Sequence, residues 1–188
     1  MNQYIDIELI PDPEFPPPVL MGALFGKLHR VLVALEASSI GVSFPGYAER
    51  PRTLGARLRL HGSRSVLEDL MSRDWLSGMH DHVSVSAIGT VPTEGVQHRV
   101  VRRRQLKTNA ERLRRRRARR HGETLEQARA HIPDAVERKT NLPYVTLRSA
   151  STGERFSLFV EHGEPQDQPR AGSFSRYGLS RGATIPWF

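Results

Sequence analysis

The sequence predicts an α+β fold, and three observations carry that prediction. Apolar residues recur with period two in short runs and with helical spacing in longer ones. These runs alternate along the first half of the chain, and a dense basic tract with few apolar residues follows them. At 188 residues there is room for one well-buried domain and a smaller second part.

"YIDIEL" alternates Ile5, Ile7 and Leu9 with Tyr4, Asp6 and Glu8, which predicts a first strand with one buried face. The following "PDPEFPPP" cannot continue a sheet, and its last proline, Pro18, suits the first helical position. From Val19 to Leu35 the set Leu20, Leu24, Leu28, Val31 and Leu35 predicts an amphipathic helix. "IGVSF", residues 40–44, predicts a second strand, and "ARLRLH", which sets Leu58 and Leu60 against Arg57, Arg59 and His61, a third. Ser65 with Glu68 three residues on reads as a capping box opening a short helix that buries Val66, Leu67, Leu70 and Met71. "HVSVSAI" puts Val83, Val85 and Ala87 on one side of a fourth strand.

Strand, helix, strand, strand, helix, strand is the ferredoxin-like (RRM-like) βαββαβ order, which packs two helices on one face of an antiparallel sheet. We assign it to residues 1–94, with the boundary near 92–98, and residues 95–188 to a smaller C-terminal α/β domain. Within the second domain "YVTLRS" and "ERFSLFVEH", joined through "STG", predict a β-hairpin over about 144–161.

The net charge of +8 is concentrated. Arg99 to Arg120 holds twelve Lys or Arg against Glu111 alone, leaving 16 basic and 19 acidic residues elsewhere. A local excess of that kind is suited to phosphates, whose neutralisation releases condensed counterions. In "NAERLRRRRARRHGE", Thr108 with Glu111 predicts a capping box and Gly122 a C-cap, hence a helix over 109–121. Ala110, Leu113 and Ala118 are too few for a core-facing stripe, and Arg112 with Arg116, Arg115 with Arg119 and Arg116 with Arg120 repel at i, i+4. The helix is therefore expected to need an outside polyanion, met by one face of Arg112, Arg115, Arg116, Arg119 and Arg120. Charge does not separate DNA from RNA. An A-form RNA groove admits a helix only where the duplex is short or ends nearby, as in a hairpin stem.

Other chemistries have little support. Cysteine is absent, which removes disulfides, thiolate metal sites and cysteine nucleophiles. There is no His-x-x-x-His, catalytic carboxylate pair or glycine-rich phosphate loop, so no metal, cofactor or small-molecule ligand is expected. No run is long and apolar enough for a membrane span and no signal segment is present, so a cytoplasmic protein without a membrane partner is expected.

"PDPEFPP…LMGALFGKLH", "RLRRR…RRHG", "LPYVTLRSASTGERFSLFVEHG" and "YGLSRG…PWF" resemble, in register from the first strand to Phe188, the CRISPR-associated endoribonucleases of type I-F systems, the Csy-four or Cas-six-f family. The resemblance implies a ferredoxin-like N-terminal domain and a second domain bearing the arginine helix. It also implies an activity: metal-independent cleavage of precursor CRISPR RNA at the 3′ base of the repeat stem-loop, leaving a 2′,3′-cyclic phosphate. The enzyme would then stay on the hairpin alongside the other subunits of the surveillance complex. By position, His29 matches the catalytic histidine and Ser149 its serine partner, with Ser151 and Tyr177 in support. Arg103 and Gln105 match residues that read base edges, with Arg104 between them, and Phe156 the aromatic that stacks on the last base pair. Arg115, Arg116, Arg119 and Arg120 match groove-lining arginines, and Lys107 and Arg112 complete the expected RNA-binding set.

The chemistry asks for a group to take the 2′ proton and another to hold the 2′-OH in line with the scissile phosphate. A histidine, with an ordinary pKa of ~6.5, suits the first role, and a serine hydroxyl the second. Without the resemblance, His29 beside Leu28 reads as a structural boundary residue, Ser149 and Ser151 as ordinary turn serines, and Phe156 as a core partner of Leu158 and Val160. Two rival functions share the basic features: a non-catalytic RNA-hairpin-binding subunit, and a double-stranded DNA binder using the arginine helix.

Overall fold

The computed structural model describes residues 1–105, 110–136 and 140–188, and they form an α+β structure. The chain divides into two compact units, residues 1–104 with 142–188, and residues 105–141.

In the larger unit the expected alternation makes β1 (Gln3–Leu9). Pro16 caps and Pro17 opens α1 (Pro17–Ala34), whose buried face is Leu20, Met21, Leu24, Phe25, Leu28, Val31 and Leu32. There follow β2 (Gly41–Ser43), a small hairpin of β3 (Ala48–Glu49) and β4 (Arg52–Thr53), then β5 (Arg57–Gly62), α2 (Arg64–Met71) and β6 (Val83–Val85). The main sheet is antiparallel in the order β2-β5-β1-β6, and a short β7 (Gly89–Thr90) extends the β6 edge along β1. Ile5, Ile7, Leu58 and Leu60 share one core with the buried leucines of α1 and α2.

Three expectations need correction. Ser65 and Glu68 do not form a capping box: β5 runs to Gly62, so Ser63 is the cap residue and Ser65 already lies in the first turn, while Glu68 pairs with Arg64 at 3.5 Å. The fourth strand stops at Val85, which is exposed, and Ala87 lies in the break before β7. There Asp6 and Ser86 exchange bonds, the Asp6 N–H donating to Ser86 Oγ and the Ser86 N–H to the Asp6 carbonyl. Arg59 and His61, which the alternation sets on the face opposite Leu58 and Leu60, are 6% and 0% exposed, because that second face of the sheet is covered as well. Arg59 donates Nε and Nη2 to the Asp6 carboxylate (2.7 and 2.9 Å) and Nη1 to the Phe188 carbonyl (3.1 Å). Its guanidinium also lies over the rings of Tyr4 and Phe188. A charge so buried is tolerable because it is paired and hydrogen-bonded. His61 Nε2 meets Ser43 Oγ at 2.8 Å.

The rest of this unit comes from β8 (Gln97–Arg99), β9 (Val101–Arg104), β10 (Tyr144–Arg148), β11 (Arg155–His162) and β12 (Ile185–Trp187). β12 pairs with β8, and β10-β11-β9 form a three-stranded antiparallel sheet that contains the expected hairpin. These strands share a compact unit with β1–β7. β10 packs on α1. A Cβ at Gly22 would stand 2.8 Å from the Thr146 carbonyl oxygen, a separation only glycine permits.

In the smaller unit α3 (Ala110–His121) ends as expected. Gly122 has φ 67°, and the Glu123 N–H donates back to the Ala118 carbonyl at 3.1 Å. Thr108, its expected cap, and Lys107 lie outside the described residues. The helix does have an inward stripe, made by Ala110, Arg114 and Ala118 at i, i+4, i+8. It packs against α4 (Leu125–His131), which a Thr124–Gln127 capping box opens and which buries Ala128. Arg114, 5% exposed, donates Nε to the Ile132 carbonyl and Nη2 to Asp134, both at 2.8 Å. Arg117 grips Glu123 with two bonds of 2.8 and 2.9 Å. Two of the arginines thus hold the unit together, and the helix has a partner within the chain. Among the described residues no helix is long and apolar enough to cross a membrane.

Arg114→Ala should cost about 1–3 kcal/mol, since it leaves the Ile132 carbonyl without its donor and a gap beneath α3 where the buried side chain lay. Arg119→Ala, on the exposed side, should stay within about 0.5 kcal/mol. Hydrogen exchange of the α3 amides distinguishes the two, and equal protection would contradict the assignment.

Burial first, and then the charge of Arg59, pushes His61 down to about 3; burial, then Arg99, does the same to His162. His162 stacks on Tyr47 (4.2 Å), meets Trp187 edge-on, and has no hydrogen-bond partner at either ring nitrogen. Both rings are neutral when folded and take up protons on unfolding below ~6.5, so their contribution is full above that pH and is lost as pH falls towards about 3. His162→Phe should remove about 2 kcal/mol of the stability lost between pH 6.5 and 5. Urea unfolding at the two pH values measures it, and an unchanged loss would show that His162 does not titrate on unfolding.

Candidate functional site

His29 lies on α1 one turn beyond Gly26, half-buried. Its Nδ1 is 2.8 Å from the carbonyl oxygen of Arg176. A carbonyl only accepts, so Nδ1 carries the proton and the neutral ring keeps its lone pair on Nε2. Tyr177 stacks flat on the imidazole at 3.9 Å and 8°, and Phe25 lies parallel to Tyr177 at 6.2 Å. The segment that supplies Arg176 and Tyr177 is itself tied down. Arg176 Nη1 donates to the Ala37 carbonyl, the Gly178 N–H to the Ser175 carbonyl, and the Val42 N–H to the Gly178 carbonyl. At Gly178, φ is 67° and a Cβ would stand 2.6 Å from Val42 Cγ1, so this turn requires glycine.

Ser149 begins the tip of the β10–β11 hairpin. Its N–H donates to the Glu154 carbonyl (2.8 Å), and its own carbonyl accepts from the Gly153 N–H (2.9 Å). Ser149 Oγ accepts from the Thr152 N–H (3.2 Å) and lies 3.1 Å from Ser151 Oγ. Arg148 closes the tip by donating Nε to the Gly153 carbonyl at 2.9 Å. The hydroxyl is thereby fixed in place, and its hydrogen is available to a ligand when Ser151 is the donor of the pair.

The helix and the hairpin run side by side in the same direction, for Gly22 abuts Thr146 and Gly26 abuts Leu147. From Gly22 to His29 the helix rises about 10 Å, and from Thr146 to Ser149 the strand advances about 10 Å. His29 and Ser149 therefore arrive at the same end of the layer. No hydrogen bond joins them; His29 bonds the Arg176 carbonyl and Ser149 bonds its own loop.

Arg103 stands opposite Val160 on the helix-facing side of the β10-β11-β9 sheet, its guanidinium 5.7 Å from the Phe156 ring centre and 5.6 Å from that of Tyr177. Phe156 is half-buried beside Leu147, with which it pairs across the strands. His29, Tyr177, Arg103 and Phe156 thus form a chain of ring and cation contacts. Arg104 faces the other way and joins Arg102 on Glu161, at 2.8 and 2.6 Å. The hydrogen bond from Arg102 holds the Glu161 carboxyl below its usual range against the opposing effect of burial, helped by the nearby Arg102 and Arg104 charges.

Gln105 is exposed at the end of β9, while Lys107 lies outside the described residues. Arg112, Arg115, Arg116, Arg119 and Arg120 are all exposed on α3, as expected, with Arg115 also 3.6 Å from Glu111. Arg176 was not expected here. It contributes through a backbone carbonyl, which has no residue-type signature. Arg148, the brace of the serine loop, was legible only as an exposed strand residue. Among the described residues no group of three His, Cys, Asp or Glu could hold a metal ion.

The model of the family described as CRISPR-associated protein (Cas_Csy4) matches residues 4–188. A CRISPR-associated endonuclease Cas6/Csy4 from Pseudomonas aeruginosa (strain UCBPP-PA14) is 51% identical over 188 residues, covering all of both chains. Another, from Escherichia coli (strain UTI89 / UPEC), is 45% identical over the same length, again covering both chains fully. A match of this extent, on a chain whose helix and hairpin bring the histidine and serine of the sequence motifs to one end, means that the protein belongs to the Cas_Csy4 family of CRISPR-associated proteins.

Proposed function

We propose that this protein is an endoribonuclease that processes precursor CRISPR RNA, cutting at the 3′ base of the repeat stem-loop without a metal ion. The observation that carries the reading is the held imidazole, with Nδ1–H on the Arg176 carbonyl, Tyr177 against the ring and Nε2 left to accept a proton. Family membership and the endonuclease names of its relatives supply the substrate class.

In the reaction, Nε2 of His29 takes the proton of the 2′-OH, and the 2′ oxygen attacks the adjacent phosphorus. The bond to the 5′ oxygen of the next nucleotide breaks, that oxygen takes a proton from water, and a 2′,3′-cyclic phosphate remains. His29 then returns its proton to solvent. Ser149 donates a hydrogen bond to the 2′ oxygen and fixes its direction, and Ser151 restrains the Ser149 hydroxyl. Phe156 offers a surface for the last base pair of the stem, Arg103 and Gln105 read base edges next to it, and Lys107 contacts the backbone. Arg112, Arg115, Arg116, Arg119 and Arg120 hold phosphates along the groove, and the product stays bound within a complex of further subunits in the cytoplasm.

The scaffold for this reading is a ferredoxin-like body over residues 1–94, followed by an RNA-gripping part over 95–188. Counting the four long-range strands in turn, the order β2-β5-β1-β6 is second, third, first, fourth, which supports that topology.

With a hairpin RNA in EDTA, wild type should cut and leave a cyclic phosphate, and His29→Ala should cut about 10²–10⁴ times more slowly with unchanged binding. Equal rates for the two proteins, or a requirement for divalent metal, would overturn the mechanism. Tight binding by wild type with no cutting would favour the non-catalytic subunit.

A further inference from the structure

The β10-β11-β9 sheet has two faces, and the proposed site uses one of them. Leu147, Phe156, Leu158, Val160 and Arg103 point towards α1 and the core, so their strand neighbours point away. Across that outer face the register sets Arg104, Phe159 and Tyr144 in one row, Ser157 and Thr146 in the next outward row that shares the face, and Arg155 opposite Arg148 beside the serine loop.

The row of rings is an aromatic platform. Tyr144 is 39% exposed, its ring lies 5.5 Å from that of Phe159, and the Arg52 guanidinium lies 4.9 Å above it. The outermost row is a cationic pair. Arg148 and Arg155 are both exposed and directly opposite, a placement that costs a sheet stability. Among the described residues neither pairs with a carboxylate, in contrast to Arg102 and Arg104, which share Glu161. An exposed tyrosine ring beside a half-buried phenylalanine, hydroxyls in the next row, and unneutralised guanidinium groups at the end next to the cutting loop match the chemistry of an unpaired nucleic-acid strand.

We propose that this outer face binds the single-stranded RNA immediately 3′ of the scissile phosphate. The inference rests on the endoribonuclease reading above. Phe156 and Arg103 place the stem on the inner side of the hairpin, whereas the strand that leaves passes Ser149 at the tip. From there Arg148 and Arg155 are the first outer-face groups it meets. Its phosphates lie against those two arginines and its next bases reach the Tyr144–Phe159 platform, about 13 Å further along the strands.

The test uses the full chain and a hairpin RNA made uncleavable by a 2′-deoxy nucleotide before the scissile phosphate, with a 3′ tail of either no or ten nucleotides. The tail should tighten binding to wild type roughly tenfold, as stacking of one base would. Tyr144→Ala and Arg155→Ala, whose side chains make no hydrogen bond to the serine loop, should remove that gain and leave tailless binding, and cleavage of the native hairpin RNA, unchanged. A 4-thiouridine in the tail should cross-link to the peptide that contains Tyr144. Equal affinity of wild type for both RNAs, or equal losses with both RNAs in the variants, would overturn the proposal. If the hairpin is bound and cut but the tail adds nothing, this inference alone fails; if no hairpin is cut, the endoribonuclease reading fails with it.

Discussion

The contact between α1 and β10 at Gly22 is the constraint on which the rest depends. The Thr146 carbonyl stands where any side chain at position 22 would begin, so helix and strand touch backbone to backbone and their register is fixed. Because the two run the same way, the equal advance of about 10 Å along each carries His29 and Ser149 to a common end, although they lie far apart in sequence. Each is then fixed by a separate local device. The 175–178 turn delivers a carbonyl and a ring to His29, and a six-residue hairpin tip from Ser149 to Glu154 bonds the serine to its own loop. Orientation of this kind is what a reaction with an internal nucleophile needs, since the 2′-OH and the phosphate are already joined and only their alignment is left to the protein.

Arginine does three separate jobs in this chain, and burial tells them apart. Arg59 and Arg114 are structural, shielded from water and satisfied by carboxylates and carbonyls. Arg102, Arg104 and Arg117 are half-spent on Glu161 and Glu123. The outward arginines of α3, together with Arg148 and Arg155, are exposed to solvent. A run of seven arginines in nine positions thus builds a helix with an inside as well as an outside.

Most of the architecture was legible because it is written in periodicity. The alternation in β1, the leucine spacing of α1 and the "STG" hairpin each depend on a few neighbours, and each is in the structure. The misreadings came from partners distant in sequence. Arg59 alternates like a polar strand residue until Phe188 closes over it, and Arg114 looks like one more surface charge until Asp134 and the Ile132 carbonyl meet it. The α4 cap is written locally, in Thr124 three residues before Gln127. At the site, residue types alone did not single out His29 among eight histidines. What distinguishes it is a backbone carbonyl and a flat tyrosine ring, neither of which has a spacing to read.

In the proposed reaction the 2′-OH is the nucleophile, and the protein aligns it and takes its proton. Replacing that single hydroxyl with hydrogen in an otherwise native hairpin RNA tests it directly, with cleavage followed in EDTA at saturating protein. Binding as tight as for the native RNA, with no detectable cleavage, is the expected result. Cleavage of the 2′-deoxy substrate at the same phosphate would contradict it.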